Sequence, residues 1–140
     1  MIESRFSRKN VLDETAKAGV RSALTDALAA RPEVGFAYIH GSFVKGREFR
    51  DVDVAVHAPE VRNPLAFESD VSLELSARVG LPVEVRLIHS APVALQMAAV
   101  RDGIVILSRS DDARADFIED VGRRYRDYAH FRNLLLGERP

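Results

Sequence analysis

Between residues 51 and 58 the chain alternates Val52, Val54 and Val56 with Asp51, Asp53 and Ala55. Side chains two apart on a strand share a face, so this period predicts a strand whose valines enter a core while Asp51 and Asp53 stand together on the other side. Two carboxylates confined to one small patch repel, and one tends to take up a proton unless a cation is present. Mg²⁺ takes one or two carboxylates together with substrate phosphates in octahedral oxygen coordination, which suits an Asp-Val-Asp pair with no histidine in the motif. The polar face of a solvated edge strand requires the same alternation, so the pair alone leaves both readings open.

The neighbouring residues favour the metal. Residues 34–40 read as a strand, given β character by Phe36, Tyr38 and Ile39. His40-Gly41-Ser42-Phe43-Val44-Lys45-Gly46 then breaks it with a glycine-punctuated turn whose backbone N–H groups can meet a phosphate. Glu84, on the alternating run 83–88, offers a third carboxylate of the same polar-face parity, with an ion pair to Arg86 or Arg50 as its plainer use. Lys45 and Arg47 are placed either to neutralise phosphate or simply to be solvated. The combination predicts a site for a metal-bound nucleoside triphosphate.

The remaining pattern sets the fold class. Residues 11–31 carry Val11, Ala18, Leu24 and Leu28 among charges, an amphipathic helix stopped before Pro32. Residues 43–50 are too short and polar for another full helix. Residues 65–79 predict a helix on Leu65, Val71, Leu75 and Val79, ended by Gly80. A short apolar helix follows at 92–101, then a buried strand at 104–107. A long amphipathic helix runs from 111 to about 137 through Phe117, Val121, Tyr125, Tyr128 and Leu135, capped by Ser110 or Asp111. The order α-β-β-α-β-α-β-α predicts an α/β sandwich without strict βα alternation. The 140 residues, 46% hydrophobic, are expected to form one domain, 1–140.

Twenty Lys plus Arg against 21 Asp plus Glu leave a formal charge of -1, so no global field favours direct nucleic-acid binding. The absence of cysteine excludes disulfides and thiolate metal sites. No apolar run predicts a leader or a membrane span, and the expected location is cytoplasmic. His40 reads as a half-buried strand-end residue, and His57, His89 and His130 share no metal-ligand spacing.

The run Gly41-Ser42, eight residues, Asp51-Val52-Asp53-Val54-Ala55-Val56 resembles the signature of the nucleotidyltransferase β-like superfamily, and within it the minimal nucleotidyltransferases, or MNT proteins. The interval is two residues shorter than the family's commoner form. Residues 83–92 resemble the family's third-carboxylate strand, 102–108 its closing strand, and Tyr125-Arg126-Asp127-Tyr128 its aromatic-rich terminal helix. The resemblance implies a mixed sheet of about four strands flanked by helices, with Asp51, Asp53 and Glu84 as catalytic metal ligands. It further implies Mg²⁺ as cofactor, ATP as substrate held by Gly41, Ser42 and Lys45, and Glu84 as further metal ligand or proton acceptor. Such proteins resemble antitoxins that add AMP to a tyrosine of a HEPN-domain RNase toxin. A non-catalytic antitoxin that acts by binding, favoured by the short interval, and a small-molecule or RNA nucleotidyltransferase are the alternatives. Arg123, Arg124, Arg126 and Arg132 beside Tyr125, Tyr128 and Phe131 hint at an interface. The plainer expectation packs Tyr125 and Tyr128 into their own domain and leaves the arginines to solvent.

Overall fold

Four strands form the central sheet of the computed structural model, which describes residues 9–137. In chain order the elements are β1 (Asn10–Val11), α1 (Glu14–Ala29), β2 (Phe36–His40), α2 (Ser42–Lys45), β3 (Glu48–Phe49) and β4 (Val52–His57). They continue with α3 (Pro64–Val79), β5 (Val83–Leu87), a 3₁₀ turn (Ile88–Ser90), α4 (Val93–Asp102), β6 (Ile104–Ser108) and α5 (Asp111–Leu135). The sheet runs β5-β4-β2-β6, with β4 and β5 parallel and the other pairs antiparallel, while β1 and β3 form a separate antiparallel ribbon. This is the mixed α/β sheet with a long terminal helix that the sequence predicts.

The two faces of the sheet have different coverings. Val52, Val54 and Val56 join Ile39, Val83, Val85 and Leu87 in the larger core, against Leu24 and Leu28 of α1 and Phe67, Val71 and Leu75 of α3. Burying side chains of this size stabilises by roughly 1.5–3 kcal/mol each. The opposite face carries Phe36, Tyr38 and Ala55, covered by Ala99 of α4 with Phe117 of α5. Asp53 belongs to this second face, since it is two residues from Ala55 on β4. Helix ends follow local rules: Asp13, Asn63 and Ser110 side chains accept from backbone N–H groups at the starts of α1, α3 and α5, and Gly80 ends α3 in the left-handed region.

Several expectations change. α1 starts at Glu14 because Asp13 caps it, and Val11 pairs in β1 instead. Residues 43–50 contain most of a one-turn helix and all of β3. β4 is an interior strand, and Ala55 is buried beneath α4, so only the start of its second face is polar. β6 lies at the sheet edge, which leaves Ile104 39% exposed in a strand that composition alone would bury. Leu65 faces solvent in the first turn of α3, and Tyr128 and Leu135 of α5 are exposed. Among the described residues no helix is long and apolar enough to cross a membrane.

Candidate active site

The strand register builds the acidic cluster. His40, the last residue of β2, pairs across from Asp53, and Asp53 pairs with Glu84 on parallel β5. Asp51 stands just before β4 with the same parity as Asp53, and one carboxylate oxygen each from Asp51, Asp53 and Glu84 lies within 4.8 Å of the others. Asp51 and Asp53 are partly buried and Glu84 is exposed. Among the described residues Glu84 forms no ion pair; Arg86, two residues further along β5, acts on the cluster only through its field.

This crowding has an electrostatic cost. Burial, then the charges of Asp51 and Glu84 and a hydrogen bond that the protonated Asp53 carboxyl donates to Asp51, push the Asp53 carboxyl up to about 6, with Arg86 pulling the other way. His40 is shifted down by burial and by Arg86, which favours its neutral form. Three oxygen donors forced together, one of them strained toward protonation, fit a hard divalent cation.

Gly41 brings the turn against the cluster. Its φ is +80°, and a Cβ there would stand 2.5 Å from Asp53 Oδ2, so the position demands both the left-handed backbone and the missing side chain. Ser42 opens the following turn, in which Val44 and Lys45 donate their N–H groups to Gly41 O. The N–H groups of Ser42 and Phe43, first in that turn, have no acceptor within it. Beside them lies a hollow of about 660 Å³ lined by Ser42, Arg47, Arg50 and Asp51, with Lys9 on its rim paired to Glu48 at 3.7 Å. Arg47 and Arg50 form no ion pair among the described residues. On the other side of Asp51 a second hollow, about 230 Å³, is lined by Glu84, Ser72, Leu73 and Ser76.

Lys45 points elsewhere. Its Nζ lies 3.1 Å from Asp102 Oδ2, where Lys45 and then Arg101 hold the Asp102 carboxyl below its usual range. The residue that shapes the turn is instead Lys17 of α1, buried, donating to Phe43 O at 2.8 Å and Gly46 O at 3.1 Å. Its place on the helix signals this, because Lys17 shares the stripe of Leu24 and Leu28 at i, i+7 and i+11. Arg50 lines the larger hollow, whereas its sequence position suggests only a partner for Glu84. His57 and His89 meet at 5.6 Å at the opposite end of β4, outside the acidic cluster.

A mixed four-stranded sheet that brings Asp51 and Asp53 beside Glu84 of the parallel neighbour, next to a Gly-Ser turn, is the arrangement that the resemblance to nucleotidyltransferases implies. The family described as "Polymerase beta, Nucleotidyltransferase" matches residues 22–112, and the chain belongs to that family. Among solved structures it is similar to the toxin–antitoxin MntA-HepT, with 17% identity and TM-score 0.67 over 89% of this chain and 97% of that one. It is similar also to a toxin–antitoxin with AMP-PNP, at 19% identity and TM-score 0.69 over 90% and 97% of the two chains. A third similarity is to the complex of tri-AMPylated Shewanella oneidensis HEPN toxin with MNT antitoxin, at 16% identity and TM-score 0.68 over 84% and 96%. No curated protein matches the chain.

Proposed function

We propose that the chain is the antitoxin of a HEPN/MNT pair and transfers AMP from ATP to a tyrosine hydroxyl of its HEPN-domain partner. The observation that carries the proposal is the convergence of Asp51, Asp53 and Glu84 within 4.8 Å beside Gly41. A solved neighbour of the same fold holds AMP-PNP and another an AMPylated HEPN toxin, which supports the nucleotide and the partner. Asp51 and Asp53, with Glu84, would hold Mg²⁺, which when bound supplies positive charge against the triphosphate and the developing charge of the transition state.

The chain's own residues then divide the work. Ser42 Oγ and the free N–H groups of the Ser42 turn bind phosphate oxygens, and Arg47 and Arg50 draw the polyanion into the larger hollow. Glu84, the exposed carboxylate of the three, is the one an incoming hydroxyl can reach, and it either serves as a further metal ligand or takes the hydroxyl's proton. The hydroxyl oxygen bonds to the α-phosphorus as the bond from that phosphorus to the bridging oxygen breaks, and pyrophosphate leaves. The partner becomes an AMP ester.

The test incubates the purified chain with α-labelled ATP, Mg²⁺ and a candidate HEPN-domain protein. Label is expected on the partner, lost in Asp51→Ala and Asp53→Ala. Toxin neutralisation by both variants, with no label transferred by the unaltered chain, would refute the transfer and leave an antitoxin that acts by binding.

A further inference from the structure

We propose that the last part of α5 with the residue after it, 126–136, is a docking arm for the protein that receives the nucleotide, and that it takes an apolar groove with a carboxylate rim on that protein. The proposal rests on the reading of the site as one that modifies a protein.

The path of the chain places the arm. β6 runs from Ile104, paired with Ile39 next to the Gly41 turn, to Ser108, paired with Phe36 at the far end of the sheet. α5 then returns toward the site. Phe117 packs on Phe36 at 5.4 Å, Arg124 Nη1 donates to Gln96 Oε1 at 2.9 Å, and Tyr125 lies in the field of Arg101. Arg101 and Lys45 share Asp102, and Lys45 is three residues from Ser42, so the body's last hold on α5 is at the end of the sheet that carries the carboxylates. Asp53 is also on the sheet face that α4 and α5 cover. Beyond Tyr125 the helix continues to Leu135, about 15 Å at 1.5 Å per residue. Among the described residues no hydrogen bond, ion pair or ring contact joins 126–136 to another element.

What this free segment exposes is not what a solvated helix needs. Tyr128, Phe131 and Leu135 recur at i, i+3 and i+7 and are 41%, 62% and 71% exposed, with Leu134 and Leu136 beside them. Single exposed apolar residues are ordinary, but a stripe at helical spacing is the surface that packs into the groove of a partner. The charges beside the stripe select the occupant. Residues 121–137 hold four arginines and one acid, Asp127. Arg123 and Arg124 are tied to Asp120, whereas Arg126 and Arg132 have no carboxylate partner among the described residues. A second copy paired stripe to stripe would set these arginines against each other, and a carboxylate-rimmed groove would neutralise them. The family match covers residues 22–112, which hold the carboxylates and the Gly41 turn, and the arm lies outside it. A partner held along it would present its surface at the carboxylate end, raising the local concentration of its hydroxyls there.

The test uses the full chain with a purified HEPN-domain protein as probe, and pairs calorimetric binding with the labelled-ATP transfer assay. Phe131→Asp combined with Leu135→Asp is expected to weaken binding and raise the KM for the protein at least about tenfold, with the KM for ATP, the helical circular dichroism and Tm nearly unchanged. Arg126→Glu combined with Arg132→Glu, which keeps the stripe, is expected to weaken binding less and to flatten its salt dependence. Wild-type binding and KM in both double variants would overturn the arm. So would a wild-type dimer that the Phe131/Leu135 variant converts to monomer with partner affinity intact, or no binding of the HEPN-domain protein by the unaltered chain. Binding by the unaltered chain without transfer, lost in the Phe131/Leu135 variant, would uphold the arm while refuting the transfer.

Discussion

At Gly41 two requirements meet, a φ of +80° and contact with Asp53 Oδ2, whereas at Gly80, with φ +72°, an added methyl would meet nothing within 4 Å. Gly80→Ala forces a left-handed alanine, at about 1 kcal/mol or somewhat more, and Gly41→Ala costs more than that, because with ψ -157° its backbone lies in a region that essentially only glycine enters. Only Gly41→Ala also displaces a carboxylate of the cluster. Transfer by Gly41→Ala is expected to fall at least about tenfold and to recover partly as Mg²⁺ is raised, while Gly80→Ala lowers Tm without changing the rate. Asp53 gives the pH prediction. Its carboxyl rises from the ordinary 3.8 to about 6, so between these values the folded chain binds more protons than the unfolded chain. Stability of the metal-free protein therefore falls as pH rises through this window, and the penalty is complete above 6. For a half-exposed group, solvent screening leaves roughly 1 kcal/mol. In metal-free buffer Asp53→Asn is expected to raise Tm at pH 7.5 and to do nothing at pH 4, and Mg²⁺ is expected to stabilise the unaltered chain more at pH 7.5 than at pH 5. A Tm difference between Asp53→Asn and the unaltered chain that is equal at both pH values would contradict this.

The turn that carries Ser42 is held by another element. Lys17 reaches from α1 past the rings of Phe43 and Phe49, at 5.2 and 5.8 Å, to two carbonyls that α2 and the residue after it leave free. Lys17→Met keeps much of the apolar stem but leaves both carbonyls without their donor, and hydrogen bonds to a charged group contribute about 1.5–3 kcal/mol each. Urea unfolding is expected to show a loss of at least about 3 kcal/mol, the lower bound for two such bonds, with the KM for ATP raised more than kcat is lowered. An unchanged ATP titration would reduce Lys17 to a core residue with no role in shaping the turn. The same elements show what the sequence makes legible. The alternation of Val52, Val54 and Val56, the stripe of Val71 and Leu75, and the caps at Ser110 and Gly80 repeat over enough residues to declare strand or helix, and the parity of Asp51, Asp53 and Glu84 follows from the strands. β1 and β3 have two residues each and α2 four, too few for any period, so their formation depends on tertiary contacts such as Lys17 and the edge-to-face pair Phe43 and Phe49. Ile104 looks buried by composition, but position at a sheet edge is a property of topology, which period does not carry. Proximity in sequence alone places Lys45 at the phosphates, but its ion pair with Asp102 is a contact between residues 57 apart, which no local pattern announces.

At the scale of the molecule, the acidic cluster, the cationic hollow and the last contacts of α5 with the body lie at one end of the sheet, while His57, His89 and the start of α5 close the other. Stability is distributed accordingly. The first half of α5 is fixed through Phe117, Val121 and Arg124, so its amides open only with the body; among the described residues the last turns have their own helical hydrogen bonds and contacts within the helix such as Arg132 over Tyr128, and an isolated helical segment of that length is marginal in water. Native-state hydrogen exchange is expected to show protection falling along α5, with amides from 128 onward exchanging at least about a hundredfold faster than those near Val121. Truncation after Asp127 is expected to leave Tm nearly unchanged, because the removed residues bury little against the rest. A partner that docks along the stripe must order it, so adding the HEPN-domain protein is expected to slow exchange from 128 onward, with nucleotide and Mg²⁺ slowing it at residues 41–53 instead. Uniform protection along α5 in the free chain would mean that the terminal turns are held by the body, and would remove the physical reason for treating them as a separate binding element.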